Sequence, residues 1–315
     1  MKLGLGESYD DVSILSKKAR GYLDLTKPAS TLGVIGVYFV GSLFFFFYTN
    51  QQHLIMDKLT IILHSTISIG LIHGAAQSMN MSEDAEMDRQ TEHKQNRPIP
   101  AGIVDKEDAR TLAWFAVLFG VGRAYAINVT FGVFASVMAV FGIFYNLDPI
   151  RAKERIISIP WQATSRGLLA FPLIWSAYGD PWSVTPWVLG MFMYFYVFGF
   201  QNTADILDRY IDAEYGIKTF VVVFGIDSVR YIAAGSMALM VSTIILAINF
   251  NLLPVKMMWM IMIIPFCIMM LYHLTYNTYE VDETTGNHPT WLFYYLGLVL
   301  SVTIPLLVEV YIHMN

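Results

Sequence analysis

The stretch "LTIILHSTISIGLIHGAAQSMNMSEDAEMD", Leu59–Asp88, decides the fold of this chain. Residues 59–79 form a predominantly apolar run that is long enough to cross the hydrocarbon core of a bilayer as one helix. Five acidic residues then lie within the thirteen positions from Asn80 to Glu92. Acidic side chains so close to lipid are costly unless cations accompany them. The stretch therefore predicts a membrane helix that ends in a cation-binding segment.

The composition of the whole chain agrees with a membrane protein. The 315 residues are 55% hydrophobic and only 14% charged, whereas soluble domains carry about 25% charged residues. The single cysteine, Cys267, excludes a disulfide framework and a cysteine-based metal site. The first 29 residues are polar and lack the apolar core of a signal peptide.

Apolar runs recur along the chain and predict an all-α membrane protein with nine transmembrane helices in a single domain over residues 1–315. The runs are 30–49, 59–79, 108–123, 125–145, 161–178, 184–202, 229–248, 255–276 and 290–312. The boundary between the third and fourth runs is expected near Gly122–Ala124. Tyr-Asn ends both the fourth and the eighth run. This similarity favours a four-helix unit used twice, followed by one extra helix.

The distribution of Lys and Arg predicts the orientation in the membrane, because cytoplasmic loops carry an excess of these residues. Residues 1–29 and the segments after the second, fourth and sixth runs are rich in Lys and Arg. The opposite side carries only Lys58, Arg123 and Lys256. We therefore expect an integral, multi-pass membrane protein whose N-terminal segment (1–29) and long acidic loops face the cytoplasm.

Two acidic segments carry the predicted metal ligands. The side chains of Asn80, Asp84 and Asp88 are spaced i, i+4, i+8 and stack on one face if the second helix continues beyond the membrane. Oxygen ligands without His or Cys suit Mg²⁺, which binds carboxylates together with water and substrate phosphates. The second segment repeats this pattern at i, i+3, i+7 with Asp205, Asp208 and Asp212.

Basic residues in the same cytoplasmic loops would complete a diphosphate site, because they neutralise phosphate charge. They are Lys94, Arg97, Arg151, Lys153 and Lys218. The alternative is that both acidic segments are merely solvated helix ends. Matched positions and shared loops favour the site.

Two polar residues inside the predicted spans are further candidates. Arg166 lies within the fifth span, where a charged residue is by default functional. It would bind a diphosphate or another anionic group, or else form a structural pair. His73 lies seven residues before Asn80 on the same helical face. It would assist a deprotonation, or else be a hydrogen-bonded packing residue.

Four ordered motifs resemble the UbiA superfamily of intramembrane prenyltransferases. The first is Asn80-x-x-x-Asp84-x-x-x-Asp88 followed by "NRPIPAG" (96–102), and the second is Asp208-x-x-x-Asp212-x-x-x-Gly216-x-x-Thr219. The stretches "YNLDPIRAK" (145–153) and "LTKPAS" (25–30) resemble two further family segments. The chain departs from the family at Met81 and at Ala204-Asp205, where the family often has Asp and Asn-Asp.

The resemblance implies Mg²⁺-dependent transfer of a polyprenyl group from its diphosphate to a lipophilic acceptor, with release of pyrophosphate. It implies catalytic roles for Asp84, Asp88, Asp208 and Asp212, a diphosphate-binding role for Tyr145, and an acceptor-side role for Lys27 beside His73 and Arg166. The "RPIPAG" stretch is most similar to members with lipid or tetrapyrrole acceptors, such as geranylgeranylglyceryl phosphate. Membrane lipid is an expected partner, whereas nucleic acid and an obligatory protein partner are not expected.

Two other functions stay open at this stage. A terpene cyclase of the same fold would use the same metal site and differ only in needing no acceptor. A cation transporter would place carboxylates near the bilayer midplane, often on broken helices. Glu309 is the only acidic residue well inside a predicted span.

Overall fold

The protein is built from helices joined by short turns. The computed structural model describes residues 16–91, 94–279 and 288–314. Its α-helices are α1 (Lys17–Asp24), α2 (Pro28–Tyr48), α3 (Ile55–Glu83), α4 (Ala85–Gln90), α5 (Lys106–Ile127), α6 (Val129–Asn146), α7 (Ser158–Gln162), α8 (Ala170–Tyr178), α9 (Val184–Phe200), α10 (Arg209–Glu214), α11 (Phe220–Asn249), α12 (Ile264–Tyr276) and α13 (Thr290–Met314). Tighter 3₁₀ turns span Gln52–Leu54, Ala152–Glu154, Gln201–Asp205 and Val255–Ile263, and a π-helix spans Ala163–Leu168.

The long helices form a closed ring. The helices α2, α3, α5, α6, α8, α9, α11, α12 and α13 each pack on the next, and α13 packs back on α2. Large apolar side chains such as Phe115, Leu118 and Tyr231 point outward and are exposed. An exposed apolar surface of this extent belongs against lipid. The chain is therefore an integral, multi-pass membrane protein.

Six helical stretches among the described residues are long and apolar enough to cross a bilayer. The other three predicted spans fall short for identifiable reasons. α5 begins with charged residues, α9 has 17 residues, and the fifth span is divided into α7, the π-helix and α8. The predicted total of nine crossings is thus only partly supported. The six stretches are Pro28–Tyr48, Gln52–Glu83, Val129–Asn146, Phe220–Asn249, Val255–Tyr276 and Thr290–Met314.

The predicted boundary near Gly122–Ala124 was wrong by four residues. α5 continues through this region, and Asn128 separates α5 from α6 with an extended backbone (φ −163°). Its Oδ1 atom accepts a hydrogen bond from the backbone N–H of Phe131 at 2.7 Å. An Asn at this position caps the following helix, and this local signal outweighs the glycine.

The two ends of the helix ring carry different kinds of side chains. At the end where α2 and α8 finish, Phe44, Phe45, Trp175 and Tyr178 pack as an aromatic cluster, with 5.2 Å between the ring centres of Phe45 and Trp175. The other end is formed by the last turns of α3, α6 and α9 and by the first turns of α2 and α13. This second end carries both acidic segments.

Candidate active site

The first acidic segment is a helix with one break. α3 ends at Glu83 and α4 begins at Ala85, because Asp84 adopts φ −89° and ψ 0°. The expected uninterrupted helix was therefore wrong. Its backbone ladder nevertheless survives, since the N–H of Asp84 donates to the carbonyl of Asn80 at 3.0 Å and that of Asp88 to Asp84 at 2.8 Å. This retained i to i+4 register keeps the three predicted ligands along one side.

The side chains of Asn80, Asp84 and Asp88, here called the first acidic column, are bonded to one another and to basic residues. The Nδ2 atom of Asn80 donates to Oδ2 of Asp84 at 2.9 Å. Lys153 donates to the other carboxylate oxygen of Asp84 at 2.5 Å, and Arg97 donates to Oδ2 of the buried Asp88 at 2.6 Å. Each acid of the column is thereby neutralised by one base.

The second acidic segment, whose Asp205, Asp208 and Asp212 are here called the second acidic column, is less regular than predicted. α9 tightens into the 3₁₀ turn Gln201–Asp205 and a further turn follows before α10, so its aspartates do not share one continuous helix. The N–H of Asp212 still donates to the carbonyl of Asp208 at 2.8 Å. Burial and mutual repulsion raise the pKa values of two of these carboxyl groups. Burial and the charge of Asp208 raise the pKa of Asp212 to about 7, and burial with the charges of Asp212 and Asp208 raises the pKa of Asp205 well above its usual range.

Lys94 connects the two acidic segments. It lies in the loop after the first column, and its Nζ atom is 2.7 Å from Oδ2 of Asp208 in the second. Only 9% of the Lys94 side chain is exposed. The structure thus brings five predicted aspartates and three predicted bases, Lys94, Arg97 and Lys153, to one end of the helix ring.

The remaining predicted diphosphate ligands are arranged less tightly. Arg151 adopts a left-handed backbone (φ +43°) and pairs with Glu154 at 2.6 Å. The backbone N–H of Lys218 donates to the carbonyl of Glu154 at 2.9 Å, while its side chain is exposed. The hydroxyl of Tyr145 accepts a hydrogen bond from Nε2 of Gln162 at 2.8 Å.

The predicted acceptor-side residues lie on the membrane side of the acidic columns. Lys27 precedes α2 with a left-handed backbone (φ +46°), and its Nζ atom donates to Oδ1 of Asn80 at 3.1 Å. Burial, together with the charge of Arg97, lowers the pKa of Lys27 to about 7. Non-glycine residues with positive φ are strained, and such strain concentrates at functional sites.

His73 is held by groups that the sequence did not single out. Its Nε2 atom is 3.1 Å from Oγ of Ser30 and 3.2 Å from Nε2 of Gln77. The hydroxyl of Tyr295 donates to Ser30 at 3.0 Å. Spacing would have found Gln77, which is one turn from His73, but Tyr295 lies 222 positions along the chain and only the fold brings it there.

The oxygen atoms at this site are of the kind that a hard metal ion prefers, but the acidic side chains are not grouped closely around one point. Within the described ranges, no three His, Cys, Asp or Glu side chains are close enough to share one ion. Lys94, Arg97 and Lys153 form ion pairs with three of the carboxylates. The Oδ1 atom of Asp88 is nevertheless buried without a hydrogen-bond partner among the described residues, and a buried acceptor of this kind is satisfied by a cation. The donor set, carboxylates and one amide, suits Mg²⁺.

Known proteins share this sequence pattern and fold. A digeranylgeranylglyceryl phosphate synthase of Saccharolobus solfataricus is 25% identical over 252 residues, covering 79% of this chain and 85% of that protein. A 4-hydroxybenzoate octaprenyltransferase of Polynucleobacter asymbioticus is 25% identical over 238 residues, covering 74% and 81%. The solved structure of a UbiA homologue from Archaeoglobus fulgidus bound to DMAPP and Mg²⁺ has the same fold, with a TM-score of 0.65 at 17% identity over 92% of this chain and 99% of that one.

The sequence profile of the UbiA prenyltransferase family matches residues 32–311, which include both acidic columns, the π-helix and the closing helix α13. The match covers most of the chain and both halves of the helix ring. The chain is a member of the UbiA prenyltransferase family.

Proposed function

We propose that this protein transfers a polyprenyl group from a polyprenyl diphosphate to a lipophilic acceptor and releases pyrophosphate. The observation that carries the proposal is the pairing of two aspartate columns with Lys94, Arg97 and Lys153 at one end of a membrane-embedded helix ring. The names of the relatives support the reaction class. Among acceptors, we favour a lipid such as geranylgeranylglyceryl phosphate over a tetrapyrrole, because two digeranylgeranylglyceryl phosphate synthases match over 85% and 77% of their length, whereas the protoheme IX farnesyltransferases match over 37–47% of theirs.

Asn80, Asp84, Asp88, Asp205, Asp208 and Asp212 are the residues that would hold Mg²⁺. Bound Mg²⁺ supplies Lewis-acid neutralisation of the charge that develops on the leaving diphosphate. The ion pairs suggest how the chain prepares for it. Lys153, Arg97 and Lys94 pair with the carboxylates of Asp84, Asp88 and Asp208, and they would neutralise the diphosphate oxygens if those carboxylates held Mg²⁺ instead. Binding of the metal and of the substrate would thus be coupled through these ion pairs.

The reaction balances with the groups present. The bond between the allylic carbon and the diphosphate oxygen breaks, and the electron pair leaves with pyrophosphate. The acceptor then forms the new bond to that carbon and loses one proton. The helix ring would shield the allylic cation from water, and a carboxylate of the second column would take the proton.

Three topological features belong to the same proposal. We infer nine membrane crossings, with the fifth completed by α7, the π-helix and α8 together. The N-terminal segment and the acidic columns lie on the cytoplasmic side, because the Lys and Arg residues of the loops are concentrated there. The chain forms one domain, with two four-helix units followed by α13.

The test is pyrophosphate release from a polyprenyl diphosphate by the purified protein, with and without acceptors. Release that requires an acceptor supports the transferase, and release without any acceptor identifies a cyclase. A transporter has less support, because Glu309 is buried within α13 and its Oε2 atom is paired with Lys256 at 2.7 Å. Absence of release with every donor length would overturn the proposal.

A further inference from the structure

Arg166 lies at the centre of the π-helix Ala163–Leu168, inside the fifth span. It follows the start of α7 at Ser158 by eight residues, which places it roughly 12 Å below the end of the ring that carries the acids. His73 lies seven residues from Asn80 along α3, or roughly 10 Å, in the same direction. These two depths agree, and Arg166 is within electrostatic range of His73 and Tyr145.

Arg166 has no hydrogen bond or ion pair with any residue that the structure describes. The other buried or half-buried bases of the site are occupied, each bonded to Asn80, Asp84, Asp88, Glu154 or Asp208. The groups around Arg166 are an imidazole and phenols, namely His73, Tyr145, Tyr294 and Tyr295. A half-buried guanidinium within a span is costly without a counter-ion, so the missing anion must come from a ligand.

The prenyl diphosphate is not the best source of that anion. Its two phosphates are served by Lys94, Arg97 and Lys153 at the aspartate columns, roughly two helical turns away from His73 and Arg166. A second molecule that approaches the allylic carbon from the membrane side would instead place its head group beside Arg166. A guanidinium fork binds carboxylate or phosphate in a bidentate way.

The backbone around Arg166 is fixed by close packing. A Cβ atom at Gly167 would lie 2.6 Å from Cα of Tyr194, and one at Gly190 would lie 2.1 Å from the carbonyl oxygen of Leu168. Only glycine permits α9 to approach the π-helix so closely. Arg166 is therefore presented from a rigid support, which favours recognition of one defined ligand geometry.

We propose that Arg166 binds the phosphate or carboxylate of the acceptor and so determines the preference for anionic over neutral acceptors. This inference rests on the proposed prenyl transfer and adds the residue that sets acceptor specificity. The anion belongs to the acceptor molecule, and an annular phospholipid is the alternative source that the experiment must distinguish.

The experiment compares matched acceptors in uncharged detergent. One pair is geranylgeranylglyceryl phosphate and its dephosphorylated alcohol, and the other is 4-hydroxybenzoate and its methyl ester. We expect pyrophosphate release with an anionic member and at least about tenfold less with its neutral partner. Arg166→Gln should raise the acceptor KM at least about tenfold and change the donor KM less than about twofold, and Arg166→Lys should recover little because a point charge does not replace the fork.

Arg123→Gln is the matched control. Arg123 also lies within a predicted span but away from the acidic columns, near the far end of α5, where its guanidinium sits over the ring of Phe119 at 5.6 Å. Its substitution should leave both KM values unchanged. Equal use of neutral and anionic acceptors would overturn the inference while leaving prenyl transfer intact. A loss of donor affinity in Arg166→Gln would also overturn it, because Arg166 would then belong to the diphosphate.

A second readout does not depend on turnover. Dodecyl phosphate should raise the melting temperature of the wild type and of Arg123→Gln more than dodecanol does, and this difference should vanish in Arg166→Gln. An equal shift in all three proteins would overturn the inference. An Arg166-dependent shift produced equally by a bilayer phospholipid, without inhibition of turnover, would assign the anion to annular lipid and overturn it as well. Absence of pyrophosphate release with every donor and acceptor would instead overturn the proposed function.

Discussion

The two acidic columns face the same end of the ring but differ in how their charge is neutralised. In the first, Lys153 neutralises Asp84 and Arg97 neutralises Asp88. In the second, only Asp208 has a basic partner, Lys94, and that partner comes from the loop of the first. Asp205 and Asp212 form no ion pair with any described residue. The first column is thus balanced before any ligand arrives, whereas the second leaves two carboxyl groups without a basic partner, and a bound metal ion would supply the missing positive charge.

The largest expected effect tests whether both columns are needed. Asp84→Ala and Asp208→Ala should each lower pyrophosphate release by at least about a hundredfold, since losing a metal-anchored diphosphate costs on the order of several kcal/mol of transition-state stabilisation. Stabilisation of the fold by Mg²⁺ should persist partly in Asp84→Ala and disappear in Asp208→Ala. A variant that keeps more than about a tenth of wild-type release while folding normally would remove its column from the site.

Removal of the metal tests whether the carboxyl groups of the second column that lack a basic partner serve to bind Mg²⁺. Chelation by EDTA should stop turnover, and Mg²⁺ should restore it, with Ca²⁺ a poor substitute because Ca²⁺ prefers longer bonds and more ligands. Mg²⁺ at a hundred times its Kd should stabilise the fold by about 2.7 kcal/mol, read from melting curves. Full turnover in buffer that contains EDTA would show that neither acidic column needs a metal ion.

Stability without metal should respond oppositely in the two columns. Asp88→Asn removes the charge partner of Arg97 and should lower the free energy of unfolding by about 1–3 kcal/mol, whereas Asp212→Asn relieves repulsion and should raise the melting temperature.

The raised pKa of Asp212 also predicts that the stability of the fold depends on pH. Because the folded-state pKa of Asp212 is raised from 3.8 to about 7, the folded state binds the extra proton in that interval, and the contribution of Asp212 to stability falls as pH rises from about 4 to 7.

Melting curves in EDTA at pH 4.5 and 7.5 measure this dependence. Asp212→Asn should lose that part of the pH dependence, and Mg²⁺ should reverse it in the wild type. Lower melting temperatures for both variants at pH 7.5 would show that the columns are equally balanced.

The smallest expected effect concerns the exposed base next to the second column. Lys218→Ala should change the donor KM less than about fivefold, since an exposed charge without an ion-pair partner among the described residues contributes at most about 1 kcal/mol. Lys153→Ala, which leaves Asp84 without its base, should raise the donor KM far more. Equal effects of the two substitutions would mean that Lys218 turns inward when the donor binds.

Spacing predicted the two columns well and their backbone poorly. Asn80, Asp84 and Asp88 stay on one side because the i to i+4 hydrogen bonds continue through the break at Asp84. The break itself, the 3₁₀ turn before Asp208 and the π-helix around Arg166 carry no signal in the apolar pattern, because that pattern repeats with the period of an ordinary α-helix. The cap at Asn128 is a readable signal, because an Asn before an apolar run favours the start of a helix.

Contacts between distant residues account for most of what spacing did not reveal. Lys94 was predicted as a diphosphate ligand of the site, yet its bridge to Asp208 connects positions 114 residues apart. The link from Tyr295 through Ser30 to His73 joins three different helices. Such pairings follow from the closure of the helix ring, which local periodicity does not encode.

The π-helix makes the position of Arg166 sensitive to the length of the chain. The N–H of Leu169 donates to the carbonyl of Thr164, five residues back, at 3.0 Å, so this turn holds one residue more than an α-turn. Deleting one residue here would let an ordinary α-turn form, and the side chains within the turn would shift by one position relative to α7. A chain of nearly identical composition would then direct a different side chain toward His73. Insertion or loss of a single codon is therefore enough to add or remove a charged group in this part of the membrane, without altering either aspartate column.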